Sequence, residues 1–280
     1  MRYFIELSYD GAAYCGWQRQ PNDPSVQQTL EQALSTLLRE KVEVVGAGRT
    51  DTGVNASYYV AHFDSVAGVK DCDRLVYKLN LILPQDVAVS RVREVRADAH
   101  ARFDAVEREY TYYLSQRKNP FRRHSAWQYY VPLDMERMNE AARALTEYED
   151  FTSFAKLNSN NKTNICRVTR AEWCRAEEDA DMLVFRIRAD RFLRNMIRAI
   201  VGTLVDVGRG RYTVEEFRDI LHSRDLSRSS AGAPAVGLFL SDVRYDESVY
   251  VVEPVEDKEL FGEARERERK VRKLLFNQNI

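Results

Sequence analysis

VEVVGAGRTDTGVNASYYVAHF, residues 42–63, holds two strand-like runs, Val42–Val45 and Ser57–Phe63, with only a glycine-bearing loop between them. A dinucleotide-binding unit would need a helix after the glycines and a third glycine where Asp51 stands, so a doubly wound parallel fold is excluded here. Upstream, residues 2–9 alternate with Tyr3, Ile5, Leu7 and Tyr9 on one side, the period of a strand. Ser25 with Gln28 three residues on marks a helix start, and the helix buries Leu30, Ala33, Leu34, Leu37 and Leu38. Downstream, a helix from Asp71 presents Leu75, Val76, Leu79, Ile82 and Leu83 until Pro84 stops it. Asp86–Val95 returns as a strand.

A comparable series begins after Arg102. Arg108–Ser115 and Ala126–Val131 read as strands, and Asp134 caps a helix with Met135, Met138, Ala142 and Leu145 inward. Ile165–Arg175 and Met182–Ala189 form a hairpin, a helix runs from Arg191 to Val207, Thr213 and Glu216 cap a shorter one, and Val236–Tyr245 is the last strand. Strands and helices in this mixed order, with hairpins, predict an α+β fold with a largely antiparallel sheet flanked by helices. Two related lobes are expected, residues 1–105 and 106–250, their sheets continuous and a cleft between them. Residues 251–280 read as a charged helical extension.

With 280 residues, 44% hydrophobic, the chain can bury a full core. No run is long and apolar enough to span a bilayer, and MRYFIELSYDG does not read as a signal peptide. Cys15, Cys72, Cys166 and Cys174 are scattered without zinc-ligand spacing, which predicts reduced thiols in a cytoplasmic protein and no metal. The formal net charge is −1, yet five arginines lie between Arg186 and Arg198 against one acid, and residues 102–124 hold a second basic run. Such segregation predicts a basic cleft suited to phosphates, although ordinary solvated faces would give similar runs.

Within the glycine loop, Asp51 is the only carboxylate. Asp51-Thr52-Gly53 matches the aspartic protease tripeptide, but that chemistry needs a second such acid and the chain has no second Asp-Thr-Gly. Two readings remain: an aspartate capping the turn's backbone N–H groups, or a lone carboxylate kept ionised by an arginine such as Arg49.

At GRTDTGVNA, residues 48–56, the chain resembles the tRNA pseudouridine synthase A family, whose loop reads G-R-T-D-x-G-V-H-A. The resemblance continues through YDGAAYCGWQRQ (9–20), LPQDVAV (83–89), HARFDAVEREYTY (100–112), DFTSF (150–154), RFLRNMIRAIVGTLVDVG (191–208) and GLFL (237–240). It implies the pseudouridine synthase fold, isomerisation of uridine to pseudouridine on the 3′ side of the tRNA anticodon stem-loop, and a homodimer gripping one tRNA. By the same resemblance Asp51 is the catalytic aspartate, Tyr110 contacts the target uracil, Arg194 is the basic partner of the aspartate, and Arg49 helps extrude the target nucleotide. Nothing is oxidised, reduced or hydrolysed in that reaction, so no cofactor and no metal are expected. Asn55 stands where the family commonly has histidine, and the tail after Tyr250 is unmatched. A tRNA-binding module without catalysis is the alternative; the intact Arg49-Thr50-Asp51 set, which binding alone does not need, separates the two.

Overall fold

A computed structural model describes residues 1–156 and 162–251; the charged extension expected over 251–280 lies outside them, Val251 apart. Nine strands form one sheet: β1 (Arg2–Tyr9), β2 (Val44–Gly46), β3 (Asn55–Asp64), β4 (Val87–Val95), β5 (Ala105–Ser115), β6 (Trp127–Gln128), β7 (Val168–Arg175), β8 (Met182–Ala189) and β9 (Leu238–Tyr245). Their order is β4-β1-β3-β9-β5-β8-β7, with β2 added to β3 and β6 to β5. Every pairing is antiparallel except β3 with β9 and β5 with β6. The fold is therefore α+β with a largely antiparallel sheet.

The last strand joins the two halves. β9 pairs with β5 from Ala105↔Tyr245 to Tyr112↔Leu238, and meets β3 only at Asn55↔Phe239 and Ala56↔Leu240. Around one half, Tyr3, Ile5, Leu7 and Phe63 pack with Leu30 and Leu34 of α1 (Val26–Leu38) and with Leu75 and Leu79 of α2 (Cys72–Ile82). Around the other, Tyr112, Leu114, Phe185 and Ile187 pack with helices α3 (Met135–Arg143), α4 (Met196–Gly208) and α5 (Val214–Ser223). Burying aliphatic and aromatic side chains on this scale, at about 25 cal/mol per Å² of apolar surface, drives both assemblies. Tyr110 packs against both cores and so marks their seam.

Local signals account for the helix boundaries. Ser25 accepts from the Gln28 N–H, and Thr213 with Glu216 makes a reciprocal capping box at α5. α4, expected from Arg191, begins instead at Met196. The Asp190 carboxylate accepts from the backbone N–H groups of Arg167 and Arg191 and turns the chain, and Asn195 is left-handed at φ 64°. Residues 191–195 are consequently a loop, and Arg194 stands on that loop rather than on a helix face. The strand expected over 126–131 shrinks to Trp127–Gln128.

Strand period also divides the basic run at 186–198. Leu183, Phe185 and Ile187 of β8 point into the helix-covered core, so Arg186 and Arg188 face the other side of the sheet. There Arg188 donates to Glu109 at 2.6 Å, with Arg170 at 3.7 Å from the same carboxylate, and Arg186 donates to the Cys174 sulfur. Among the described residues no helix is long and apolar enough to cross a membrane.

One buried histidine links this frame to the loop at 99–104. His62 of β3 accepts the Ala101 N–H at Nδ1, 3.1 Å, which requires that nitrogen to be unprotonated. Burial, aided by Arg2 and His100, lowers its pKa from 6.5 to about 4. The unfolded chain therefore binds the proton first as pH falls, so the stability due to His62 is complete above pH 6.5 and drains away toward pH 4. Urea unfolding at pH 7 and pH 5 should show the wild type losing on the order of 1–2 kcal/mol more than His62→Gln over that interval; equal losses would show that His62 does not titrate in this way.

Candidate active site

Asp51 lies in the loop between β2 and β3, and the loop is fixed by its neighbours on both sides. Thr50 is buried, with its hydroxyl 2.8 Å from that of Tyr9 and its carbonyl accepting from Trp17 N at 3.3 Å. Tyr59 donates to the Gly48 carbonyl, Ala47 N donates to Val60, and Gly53 N donates to Tyr14. Trp17 stacks on Tyr59 at 4.1 Å beneath the loop. Gly16, at φ +94°, lets the preceding segment lie against the Thr50 carbonyl, where a Cβ would collide. Residues on either side of Asp51 are thus held while its carboxylate, 31% exposed, stays open to a ligand.

The carboxylate meets the second half of the molecule. Arg194 Nε lies 3.5 Å from Asp51 Oδ1, and the arginine is 60% exposed. Phe192, two residues earlier, packs edge-on against Tyr110 with ring centroids 5.2 Å apart. Burial pushes the Tyr110 hydroxyl well above the usual phenol range; Arg108 opposes this and the negative charge of Asp51 adds to it. Tyr110 is therefore a neutral donor at physiological pH and not a phenolate.

Arg108 ties these pieces together. Its guanidinium donates to four backbone carbonyls: Ala105 at 2.7 Å, Asp190 at 2.8 Å, Ala47 at 3.3 Å, and Arg102. The catalytic-loop candidate, the start of β5, the Arg194 loop and the loop at 99–104 thereby share one cation. Arg49, in contrast, is exposed and pairs with no carboxylate among the described residues. The arginine beside Asp51 in space is Arg194, while the one beside it in sequence points to solvent. Asp51, Tyr110 and Arg194 are brought together; Arg49 flanks them.

A polar acid, a cation and a protonated phenol at the seam of one sheet leave the reaction class open, and comparison with known proteins narrows it. The chain matches the family model described as tRNA pseudouridine synthase over residues 7–104 and 141–246. The chain belongs to the tRNA pseudouridine synthase family. It is 56% identical over 249 residues to tRNA pseudouridine synthase A of Bacteroides thetaiotaomicron, covering 89% of this chain and 92% of that protein. The Bacteroides fragilis protein of the same name is 51% identical over 249 residues, covering 89% and 98%. The one from Bacillus subtilis is 38% identical over 250 residues, covering 88% and 100%. As a family member the chain is an isomerase that converts uridine in tRNA to pseudouridine.

Within that family's loop, Asn55 has a structural task. It is 2% exposed, accepts the Gly11 N–H at 2.8 Å and donates to the Val236 carbonyl at 3.0 Å. One amide thereby joins the loop after β1, the Asp51 loop and the approach to β9. Its need for both an acceptor and a donor explains why asparagine serves, since a neutral histidine offers the same pair. Sequence reading did not find Asn55, Arg108 or Phe192 as site residues. The available signal was their place inside the motifs that contain Asp51, Tyr110 and Arg194. Replacing Asn55 by alanine leaves a buried N–H and a carbonyl unpaired, so stability in urea should fall by about 1–3 kcal/mol, with Asn55→His recovering most of it. Wild-type stability in Asn55→Ala would remove this tie from the account.

Proposed function

We propose that Asp51 is the catalytic carboxylate of uridine isomerisation, with Arg194 as its cationic partner, Tyr110 against the uracil and Arg49 helping to extrude the target nucleotide. The observation that carries this reading is the Asp51–Arg194 contact at 3.5 Å, made from opposite halves beside Tyr110 in an open seam. An arginine at that range complements the charge of the carboxylate. The reaction breaks the N1–C1′ bond, turns the uracil, joins C5 to C1′, sends the C5 proton to solvent and returns one to N1. An ionised carboxylate can add to the base or steady positive charge at C1′ while the bond is broken. Tyr110, kept protonated, acts as a hydrogen-bond donor or as a relay that gives one proton and takes another, rather than as a phenolate base.

The target uridine lies in a folded stem-loop and must leave its stack, at a cost of a few kcal/mol. Stacking on Tyr110 returns about 1–3 kcal/mol, and phosphate contacts from exposed arginines such as Arg49 supply the remainder. On the resemblance noted above, the substrate region is the 3′ side of the anticodon stem-loop and the working unit is a cytoplasmic homodimer needing no cofactor or metal. Residues 1–105 then form the lobe that carries Asp51, and 106–250 the lobe that carries Tyr110 and Arg194.

Tritium release from tRNA labelled at uracil C5 tests the assignment. Wild type should release label stoichiometrically with modified uridine, and Arg194→Ala should slow release at saturating tRNA by about 100-fold or more while binding changes only a few-fold. A variant that loses affinity but keeps its rate would make Arg194 a phosphate contact and not the partner of Asp51.

A further inference from the structure

Beside the Asp51 loop, residues 99–104 form a turn with an unusual division of labour. Each of its six consecutive backbone N–H groups has an acceptor. Ala99 donates to Arg96, Asp104 to the His100 carbonyl, and His100 to the Asp104 carboxylate at 2.8 Å. Ala101 donates to His62 Nδ1, while Arg102 and Phe103 donate to His100 Nδ1 at 3.1 and 3.3 Å. Three further carbonyls are claimed by side chains: Arg2 donates to Ala99, Tyr245 to Ala101 and Arg108 to Arg102. Ala99 and Ala101 are wholly buried.

On this support Phe103 is 74% exposed. Its inner side rests on the His100 ring, with centroids 4.3 Å apart, and the Arg102 guanidinium lies 5.7 Å from its centroid. Exposed phenyl rings usually sit on loose loops or belong to an interface; this one is held in place with a face left bare. The Arg108 guanidinium that donates to the Arg102 carbonyl also donates to the Ala47 carbonyl, four residues before Asp51. Arg102 is exposed beside the ring, and Arg49 and Arg194 are exposed on the two loops that Arg108 ties to this turn, a charge pattern that suits a phosphate backbone.

We propose that Phe103 is a stacking platform for a nucleobase of the substrate RNA neighbouring the extruded uridine, with Arg102 contacting the adjoining phosphate. An aromatic face accepts any base, so the platform holds the strand in place without reading its sequence. The inference rests on the function proposed above, since it takes its ligand from that reading.

Fluorescence titration of full-length tRNA against wild type, Phe103→Ala, Phe103→Leu and Phe103→Trp tests it, with melting temperatures recorded and tritium release measured in parallel. The alanine variant should bind about 5- to 150-fold more weakly, the range set by roughly 1–3 kcal/mol of stacking. Leucine should fall with alanine, and tryptophan should match or exceed wild type, all four melting alike because the ring is exposed. Wild-type affinity in Phe103→Ala, or leucine serving as well as tryptophan, overturns the platform. Wild-type protein that binds tRNA but releases no tritium counts instead against the catalytic reading and leaves the stacking result to stand.

Discussion

A carboxylate and a guanidinium from opposite halves of one sheet meet at 3.5 Å, and the loops on both sides are arranged about that contact. Neither half can form the pair alone. Asp51 hangs from the β2–β3 loop and Arg194 from the loop before α4, so their approach depends on the two short pairings that bring β9 beside β3. A half-exposed pair of this kind contributes little to stability, typically 0–1 kcal/mol. In the proposed function its purpose is chemical, and the cost of holding it falls on the surrounding hydrogen bonds.

Those bonds spare the Asp51 side chain. Thr50, Gly48, Gly53 and Ala47 are each bound through backbone or hydroxyl groups to Tyr9, Trp17, Tyr59, Tyr14 and Arg108. Asp51 itself uses its backbone carbonyl for the Val54 N–H and leaves its carboxylate to Arg194. Preorganisation in this form means that the loop pays its ordering entropy during folding and not when RNA binds. Arg108 extends the same logic across the seam, since a single guanidinium satisfying four carbonyls fixes several loops at once without a carboxylate that would neutralise the cleft.

Much of the frame was legible in the sequence because local physics determined it. The alternation of Tyr3, Ile5 and Leu7, the Ser25 and Thr213 caps and the Pro84 stop all act within a few residues, and the elements formed where those signals stood. Helix α4 began late because the Asp190 side chain captured two N–H groups, one of them from Arg167, a long-range contact that periodicity does not register. Arg186 and Arg188 looked like cleft cations in a count of charges, yet a strand's two-residue period sent them to the far face and into pairs with Glu109 and Cys174. The return of β9 to the centre of the sheet was equally hidden, since nothing in Leu238–Tyr245 names the strand it joins. At the site, the resemblance named Asp51, Tyr110 and Arg194, whereas the spatial neighbour of Asp51 could not be read from spacing, and Arg49 was the nearer arginine only in the chain.

The most direct test replaces Asp51 with asparagine, which keeps the shape and removes the charge. Single-turnover pseudouridine formation should be measured with enzyme in excess over tRNA, alongside the affinity for the same tRNA. The account predicts no detectable product and binding within a few-fold of wild type. Product formation at a rate near that of the wild type would contradict it.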